Sequence, residues 1–395
     1  MTLAPIIIRL FNVRGENLEL IRRLRPPYVV LPNHASVWDP FFVNIFVPGM
    51  IHYVVSDANF RSKAVEFLLG LVGSIPKTKV MSDIDTVKSI MRIRDARGIV
   101  GIFPEGQNTW DGHSLPIYYS TAKLVKVLRV PVVTVHISGS FLSKARWAKR
   151  RRRGKVIVRF DLALSPEQLR KASVSEVDAR IAEMLEHDEY EFNRIEQQKY
   201  YGTDRAEYAE IALFACPQCA ALSTLRSHGN ILECTGCGYA VRYNLHGFFR
   251  PVRGSVRGSV SGSVRFDTVR AWNLWQMDEL RRRLHAFTHA AEPEPLFVEP
   301  EVTVEIGYKS TPLEPLGTGS LELLPDRILL RTPETVESFP IAEIEGSNVQ
   351  NGERLEFYFR DSLYRVTILD PRGCTYKWDL AVRMMRELAA STAAV

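Results

Sequence analysis

Between residues 28 and 160 short apolar runs alternate with longer amphipathic ones. Tyr28–Leu31 and Ile51–Val55 are compact apolar runs, the first closed by Pro32. Ile99–Phe103 stops at Pro104, Val130–Ile137 is rich in β-branched residues, and Val156–Phe160 ends the series. Between these strands Lys63–Val72, Asp83–Arg97 and Ser120–Leu128 carry apolar positions at helical spacing, as at Ile84, Val87, Ile90, Met91 and Ile93. Strands alternating with helices predict an α/β fold, a mixed sheet flanked by helices. Leu68, Leu69, Leu71 and Val72 are expected in its core, with a greasy membrane contact as the alternative.

The pattern then changes twice. Residues 165–212 are charged and poor in turn signals, which predicts one long helix or a helical pair. Ser165-Pro166-Glu167-Gln168 supplies its start, with Ser as N-cap, Pro at the first position and Gln at the third. Two cysteine pairs follow over 216–237. Residues 252–265 repeat Gly-Ser-Val around arginines and read as a flexible basic linker. A helix is expected at about Thr268–Ala286, and Glu292–Pro300 is a Pro- and Glu-rich boundary. From Val302 the period becomes two: Leu321 and Leu323, then Leu355, Phe357 and Phe359, alternate with polar neighbours. Asn351-Gly352 marks a hairpin turn. Thr375–Ala390 is helical, with Trp378, Val382, Met385 and Leu388 on one side. Antiparallel strands closed by one C-terminal helix predict a small β-barrel similar to a pleckstrin-homology module. The expected organisation is an α/β domain over 1–163, a helical connector over 164–212 and a cysteine-knuckle segment over 213–245. A linker with a helix over 246–295 and a β-rich barrel over 296–395 complete it.

With 46% hydrophobic and 24% charged residues in 395, the chain is neither wholly disordered nor fibrous. Its net charge of +6 is unevenly spread. Residues 1–163 hold 25 basic and 11 acidic side chains, a surplus of 14, and the remainder is acidic by 8. A cationic body expects an anionic partner. The first residues have no basic stretch ahead of their apolar run, so no secretory signal is expected. The longest uncharged stretch, Pro40–Ser56, is broken by Pro48 and Gly49 and is too short to span a bilayer. The expected location is therefore cytoplasmic, peripheral on the cytoplasmic face of a membrane. Cys216-Pro-Gln-Cys219 and Cys234-Thr-Gly-Cys237 are two CxxC knuckles fourteen residues apart, the signature of a zinc ribbon. Four thiolates would close a tetrahedral, structural Zn2+ site with no open position for catalysis. Cys374 is left over and reads as a buried thiol.

Candidate chemistry lies at two strand ends. Asn33-His34-Ala35-Ser36-Val37-Trp38-Asp39 follows the first strand. A carboxylate on one ring nitrogen would fix the tautomer and stabilise the imidazolium, leaving the other nitrogen to take a proton from a hydroxyl. Alone, a His and an Asp at this spacing are more often a satisfied polar pair in a loop than a catalytic dyad. Ile102-Phe103-Pro104-Glu105-Gly106 sits at the end of a second strand, and sites in open α/β sheets lie off such ends. Together these blocks resemble the glycerophospholipid acyltransferase family, which includes the lysophosphatidate acyltransferases. His34 through Asp39 matches the family's His-x4-Asp, and Phe103–Gly106 its Phe-Pro-Glu-Gly. Val130-Pro131-Val132-Val133 matches its Pro-led apolar strand, and Gly73–Lys79 its Gly-x-Ile block. The likeness covers roughly 28–160.

The resemblance implies direct acyl transfer without a covalent enzyme intermediate. His34 would be the base, oriented by Asp39, and the acceptor hydroxyl would attack the thioester of acyl-CoA or acyl-carrier protein. Glu105, Gly106, Asn108, Lys77 and Lys79 would place the acceptor, a lyso-lipid such as 1-acylglycerol 3-phosphate, in phospholipid synthesis. Two departures stand out: Gln107-Asn108 replaces the family's Thr-Arg, and Lys79 replaces an Arg. Neither copies a guanidinium's two-pronged grip on phosphate, so a non-phosphate lipid acceptor stays open. No Gly-x-Ser-x-Gly elbow is present. Lys144, Arg146, Lys149, Arg150, Arg151, Arg152 and Arg153, with Trp147 among them, are expected to form a membrane-surface patch for anionic head groups. The competing functions are a zinc-ribbon module for nucleic acid or protein, and an inactive lipid-sensing relative. Nucleic acid is the disfavoured partner, since the surplus charge lies with the acyltransferase-like blocks. A protein partner could dock at the ribbon or the barrel.

Overall fold

The computed structural model describes residues 4–77, 84–252, 263–289, 294–308, 311–350 and 352–393. Lys79, most of the Gly/Ser repeat and Asn351 lie outside the described residues. The chain forms two compact units, one of residues 1–205 with 244–248, the other of 206–243 with 249–395.

In the first unit the elements run α1 (Ala4–Phe11), β1 (Val13–Glu16), α2 (Leu18–Arg23), β2 (Tyr28–Pro32), α3 (Asp39–Asn44), β3 (Ile51–Ser56), α4 (Lys63–Leu71) and β4 (Ile75–Lys77). They continue with α5 (Ile84–Asp95), β5 (Ile99–Gly101), α6 (Tyr119–Leu128), β6 (Val132–Ser138), α7 (Ser140–Ser143) and β7 (Val156–Leu164). Three further helices are α8 (Pro166–Lys171), α9 (Val174–Leu185) and α10 (Glu189–Glu196). The seven strands form one mixed sheet in the order β1-β7-β6-β2-β5-β3-β4. β6, β2, β5, β3 and β4 are parallel, and β7 turns back antiparallel to β6. Strand β2 is buried along its whole length because both sheet faces are covered. Tyr28 and Val30 meet Phe11, Phe42 and Val135 on one face, while Val29 and Leu31 meet Val125, Ile181 and Leu185 on the other. All five parallel strands end at one edge of the sheet, and the loops that leave it carry the candidate chemistry.

Two expectations are corrected here. Residues 165–212 form neither one helix nor a pair: α8, α9 and α10 are three short helices followed by irregular chain. Ser165 and Ser173 each make a capping box, and Asp188 caps α10 by accepting from the amides of Tyr190 and Glu191. Each cap restarts the helix. The second correction concerns α4, of which no residue is buried. Phe67, Leu68 and Leu71 are 67%, 60% and 61% exposed, and Val72 is exposed as well, so these side chains do not form core.

The second unit opens with β8 (Leu225–His228), β9 (Ile231–Cys234), β10 (Ala240–Tyr243) and β11 (Phe249–Pro251), an antiparallel four-stranded sheet in the order β11-β10-β9-β8. After α11 (Val269–Phe287) come β12 (Phe297–Gly307), β13 (Glu314–Leu323), β14 (Arg327–Arg331), β15 (Val336–Pro340), β16 (Ile344–Gln350), β17 (Arg354–Phe359), β18 (Ser362–Ile368) and α12 (Thr375–Ala393). These seven strands make an antiparallel sheet in the order β15-β14-β13-β12-β18-β17-β16. Among the described residues no pairing joins β15 to β16, so the sheet is a half-barrel with two edges. Helix α12 buries Trp378, Ala381, Val382 and Met385, and the Trp378 indole donates to Glu299 Oε1 at 3.0 Å. Cys374 is buried, as expected, and burial pushes its thiol up to about 12.

Candidate active site

The loop after β2 is fixed before it reaches His34. The Asn33 side chain bridges to β6, its Oδ1 accepting from Ile137 N at 2.7 Å and its Nδ2 donating to Ile137 O at 3.1 Å. The Asn33 backbone amide still donates to Val135 O at 3.2 Å, and its side chain carries the pairing with β6 further. His34 Nδ1 then lies 3.0 Å from Asp39 Oδ2. The Asp39 carboxylate is wholly buried, whereas the His34 side chain is 17% exposed. Oδ2 also accepts from the amides of Ala35 at 2.7 Å and Ser36 at 2.8 Å, and Oδ1 accepts from Ser140 Oγ at 2.6 Å. Four donors compensate the buried carboxylate. The His34 ring packs on Phe103, with centroids 4.1 Å apart.

The loop after β5 meets this one. Glu105 Oε1 accepts from His34 N at 3.0 Å, and Oε2 accepts from Leu115 N at 2.9 Å. Thr109 N donates to His34 O at 3.0 Å. Burial pushes the Glu105 carboxyl up to about 8, opposed by those two amide donors and aided by the charge of Asp39. Gly106 has φ +69°, and a Cβ there would stand 2.4 Å from the Tyr118 ring. Asn108 turns its side chain to His34. In the orientation that satisfies its neighbours, the amide donates to His34 Nε2 at 3.3 Å and its oxygen accepts from Ser36 N and Val37 N. This arrangement selects the imidazole tautomer with its proton on Nδ1 and a lone pair on Nε2.

The expected site residues therefore separate. His34, Asp39, Glu105 and Asn108 come together, but Glu105 is 3% exposed and faces backbone amides. It positions the loops and has no surface to offer an acceptor. Lys77 ends β4, three strands out from β2, which at about 4.8 Å per strand is roughly 14 Å away. Most of the expected membrane patch is also reassigned. Trp147 and Arg152 are buried, and Arg152 donates to the carbonyls of Leu142 and Arg205. Lys144 bonds the Ala148 carbonyl, and burial beside Arg152 pulls its ammonium down to about 8. Arg146 lies over the Trp110 ring at 4.0 Å and donates to the Asn108 carbonyl at 2.8 Å. Lys149, Arg150 and Arg153 are exposed, and Arg151 is half-buried over Phe11. The residues that composition and spacing missed are Thr109 and Ser140, small polar side chains outside the motif blocks, while Asn33 stood in the first block without a role.

In the second unit the four knuckle cysteines converge, their sulfurs all within 4.8 Å of one another. Cys216 and Cys237 are 3.7 Å apart, and Cys219 and Cys234 are 3.8 Å apart. Four thiolates at about 2.3 Å from a tetrahedral Zn2+ stand about 3.8 Å from each other. The cluster therefore fits such an ion.

Residues 11–138 match the family model described as Acyltransferase. The 1-acyl-sn-glycerol-3-phosphate acyltransferase of Saccharomyces cerevisiae is 26% identical over 170 residues, which are 41% of this chain and 55% of that one. The chain thus spans about half the length of this relative. The crystal structure of the 1-acyl-sn-glycerophosphate acyltransferase PlsC from Thermotoga maritima is also similar. It has 17% identity and a TM-score of 0.42, over 49% of this chain and 76% of that one. The segment that matches the Acyltransferase family lies wholly within the first unit. Among the described residues no helix is long and apolar enough to cross a membrane.

Proposed function

We propose that the first unit transfers an acyl group from a thioester, acyl-CoA or acyl-carrier protein, to the free hydroxyl of 1-acylglycerol 3-phosphate. The observation that carries this reading is the His34–Asp39 contact at the carboxyl edge of the sheet, inside the segment that matches the Acyltransferase family. His34 Nε2 takes the hydroxyl proton as the oxygen attacks the thioester carbon. The carbon–sulfur bond breaks, and the leaving thiolate takes the proton back from the imidazolium. Asp39 holds the ring and stabilises its charged form. Nε2 has one lone pair, so Asn108 releases it when the acceptor hydroxyl arrives. Arg146 brings a guanidinium to the Gln107–Asn108 turn and takes the acceptor's phosphate, where the resembling family has an Arg.

Three finer assignments accompany this. Zn2+ closes the four cysteines as a structural ion. The seven-stranded sheet with α12 is pleckstrin-homology-like, on strand order and the closing helix. The membrane partner meets α4 through Phe67, Leu68 and Leu71, with the exposed Lys149, Arg150 and Arg153 adding attraction to anionic head groups.

The test is an acceptor panel of lysophosphatidate, glycerol 3-phosphate and non-phosphate lyso-lipids, with both donors and product masses read by mass spectrometry. Acylated lysophosphatidate is expected, with His34→Ala lowering kcat/KM by about a thousandfold. Activity that persists in that variant refutes the assignment of the base. A preference for non-phosphate acceptors refutes that of the acceptor.

A further inference from the structure

The His34–Asp39 pair has a third, distant member. Strand β6 ends at Ser138, Gly139 turns with φ +83°, and α7 begins at Ser140. A Cβ on Gly139 would stand 2.4 Å from the Lys155 carbonyl oxygen, so the turn is tightly enclosed. Ser140 is 1% exposed, and its Oγ donates to Asp39 Oδ1 at 2.6 Å across 101 residues of sequence. The turn is anchored from behind by Glu189 at the start of α10. Glu189 has no exposed surface, and its carboxylate accepts from Gly139 N at 2.8 Å and Phe141 N at 3.3 Å. Both Ser140 and Glu189 lie outside residues 11–138, the segment matched by the family model.

The division of labour on Asp39 gives Ser140 its significance. Oδ2 takes the His34 ring and two backbone amides of its own loop, all from residues within five positions. Oδ1 takes its one side-chain donor from the turn that follows β6, the strand paired with β2. That bond fixes the second oxygen and, with the amides of Ala35 and Ser36 on the first, resists rotation of the carboxylate about its Cβ–Cγ axis, which keeps Oδ2 aimed at Nδ1. A hydroxyl that only satisfied a buried oxygen would leave catalysis untouched when removed with the fold intact. A hydroxyl that aims the carboxylate would change the His34 hydrogen bond itself.

We propose that Ser140 is a positioning residue of the His34–Asp39 pair, held on its turn by Glu189. This rests on the acyl-transfer reading for its kinetic consequence, although the geometry it predicts can be measured without any substrate. The experiment uses the full-length protein and the variants Ser140→Ala, Ser140→Thr and Glu189→Gln, with thermal melts to select folded variants. One readout is the low-field proton resonance of the His34 Nδ1–H, assigned by its loss in His34→Gln. The other is kcat and KM for the acceptor established by the panel above.

In Ser140→Ala the resonance is expected to move upfield, and kcat to fall about tenfold with KM within about twofold. Ser140→Thr, which keeps the hydroxyl, should restore both. Glu189→Gln leaves one acceptor oxygen for two backbone donors and should move the resonance in the same direction by less. An unchanged resonance in folded Ser140→Ala overturns the proposal, as does a Thr variant that behaves like the Ala one. If the wild type transfers no acyl group, the acyl-transfer reading fails, while the resonance still decides the role of Ser140.

Discussion

Glu105 and Asp39 are both buried carboxyls, yet they face opposite environments. Asp39 has three donors and a histidine, whereas Glu105 has two backbone amides and a carboxyl pushed up to about 8. Between the ordinary glutamate range and pH 8 the folded protein therefore holds a proton at Glu105 that the unfolded chain has released. The stability this contributes is full below the unfolded value and is lost as pH rises through about 8. Glu105→Gln keeps the shape without the titration. Its melting temperature relative to wild type should therefore rise between pH 5 and pH 8 and level off above, as thermal melts across that range would read. A constant difference across pH would refute the raised carboxyl. The convergence of His34, Asp39 and Glu105 was legible in the sequence because each sits in a block at a strand end, whereas the burial of Glu105 against backbone amides was not. Ser140 was not, because a serine after a glycine has no signature, and its partner lies 101 positions away. Trp147 was misread because a tryptophan among arginines suits a membrane interface, while here the same side chain is 2% exposed in the fold.

At the scale of elements, the alternation of apolar runs gave five of the seven strands of the first sheet and left out β1 and β4, which are only four and three residues long. It could not place α4. The helical spacing of Lys63–Val72 suits a helix laid on the core as well as one laid on a bilayer, and only tertiary packing separates the two. Because α4 has no buried residue, Phe67→Asp with Leu68→Asp should leave the fold and melting temperature near wild type. Cosedimentation with liposomes containing phosphatidylglycerol should weaken at least tenfold for the pair, since each apolar side chain contributes about 1.5–3 kcal/mol on burial. Lys149→Glu with Arg150→Glu should chiefly flatten the salt dependence of that binding. Equal binding by the Asp pair would place the membrane contact elsewhere. The restart of helices at Ser173 and Asp188 was written in the sequence as well. The Ser-x-x-Glu box at 173–176 is as clear as the one at Ser165, but a run of charged helix formers conceals the break between them.

For the whole molecule, the surplus of 14 positive charges over residues 1–163 and the deficit of 8 beyond them fall on different chemistry. The first holds the segment that matches the Acyltransferase family, and the second the cysteine cluster and the half-barrel. The full-length protein is expected to bind one equivalent of Zn2+, measured by atomic absorption, and to lose it on Cys216→Ser with Cys234→Ser. Chelation should lower the melting temperature by several degrees, because an ion bound only by the folded state stabilises it by mass action. Full stability and no zinc in freshly purified protein would refute a structural ion. The convergence of the four cysteines was legible at a glance, since two CxxC pairs are the spacing that a tetrahedral metal site requires.

The discontinuity of the first unit has a practical consequence. Its strap, residues 244–248, returns after 38 residues spent in the second unit. There Leu245 O accepts from Tyr200 N at 2.7 Å and His246 O from Asn193 Nδ2 at 2.7 Å, both from buried residues. A gene product that stops at Arg205 would strand these donors at about 1–3 kcal/mol each. It would also uncover Tyr190, which packs on Phe248. Expressing the chemistry on its own therefore requires splicing the strap back on, because no single stop codon yields the unit whole.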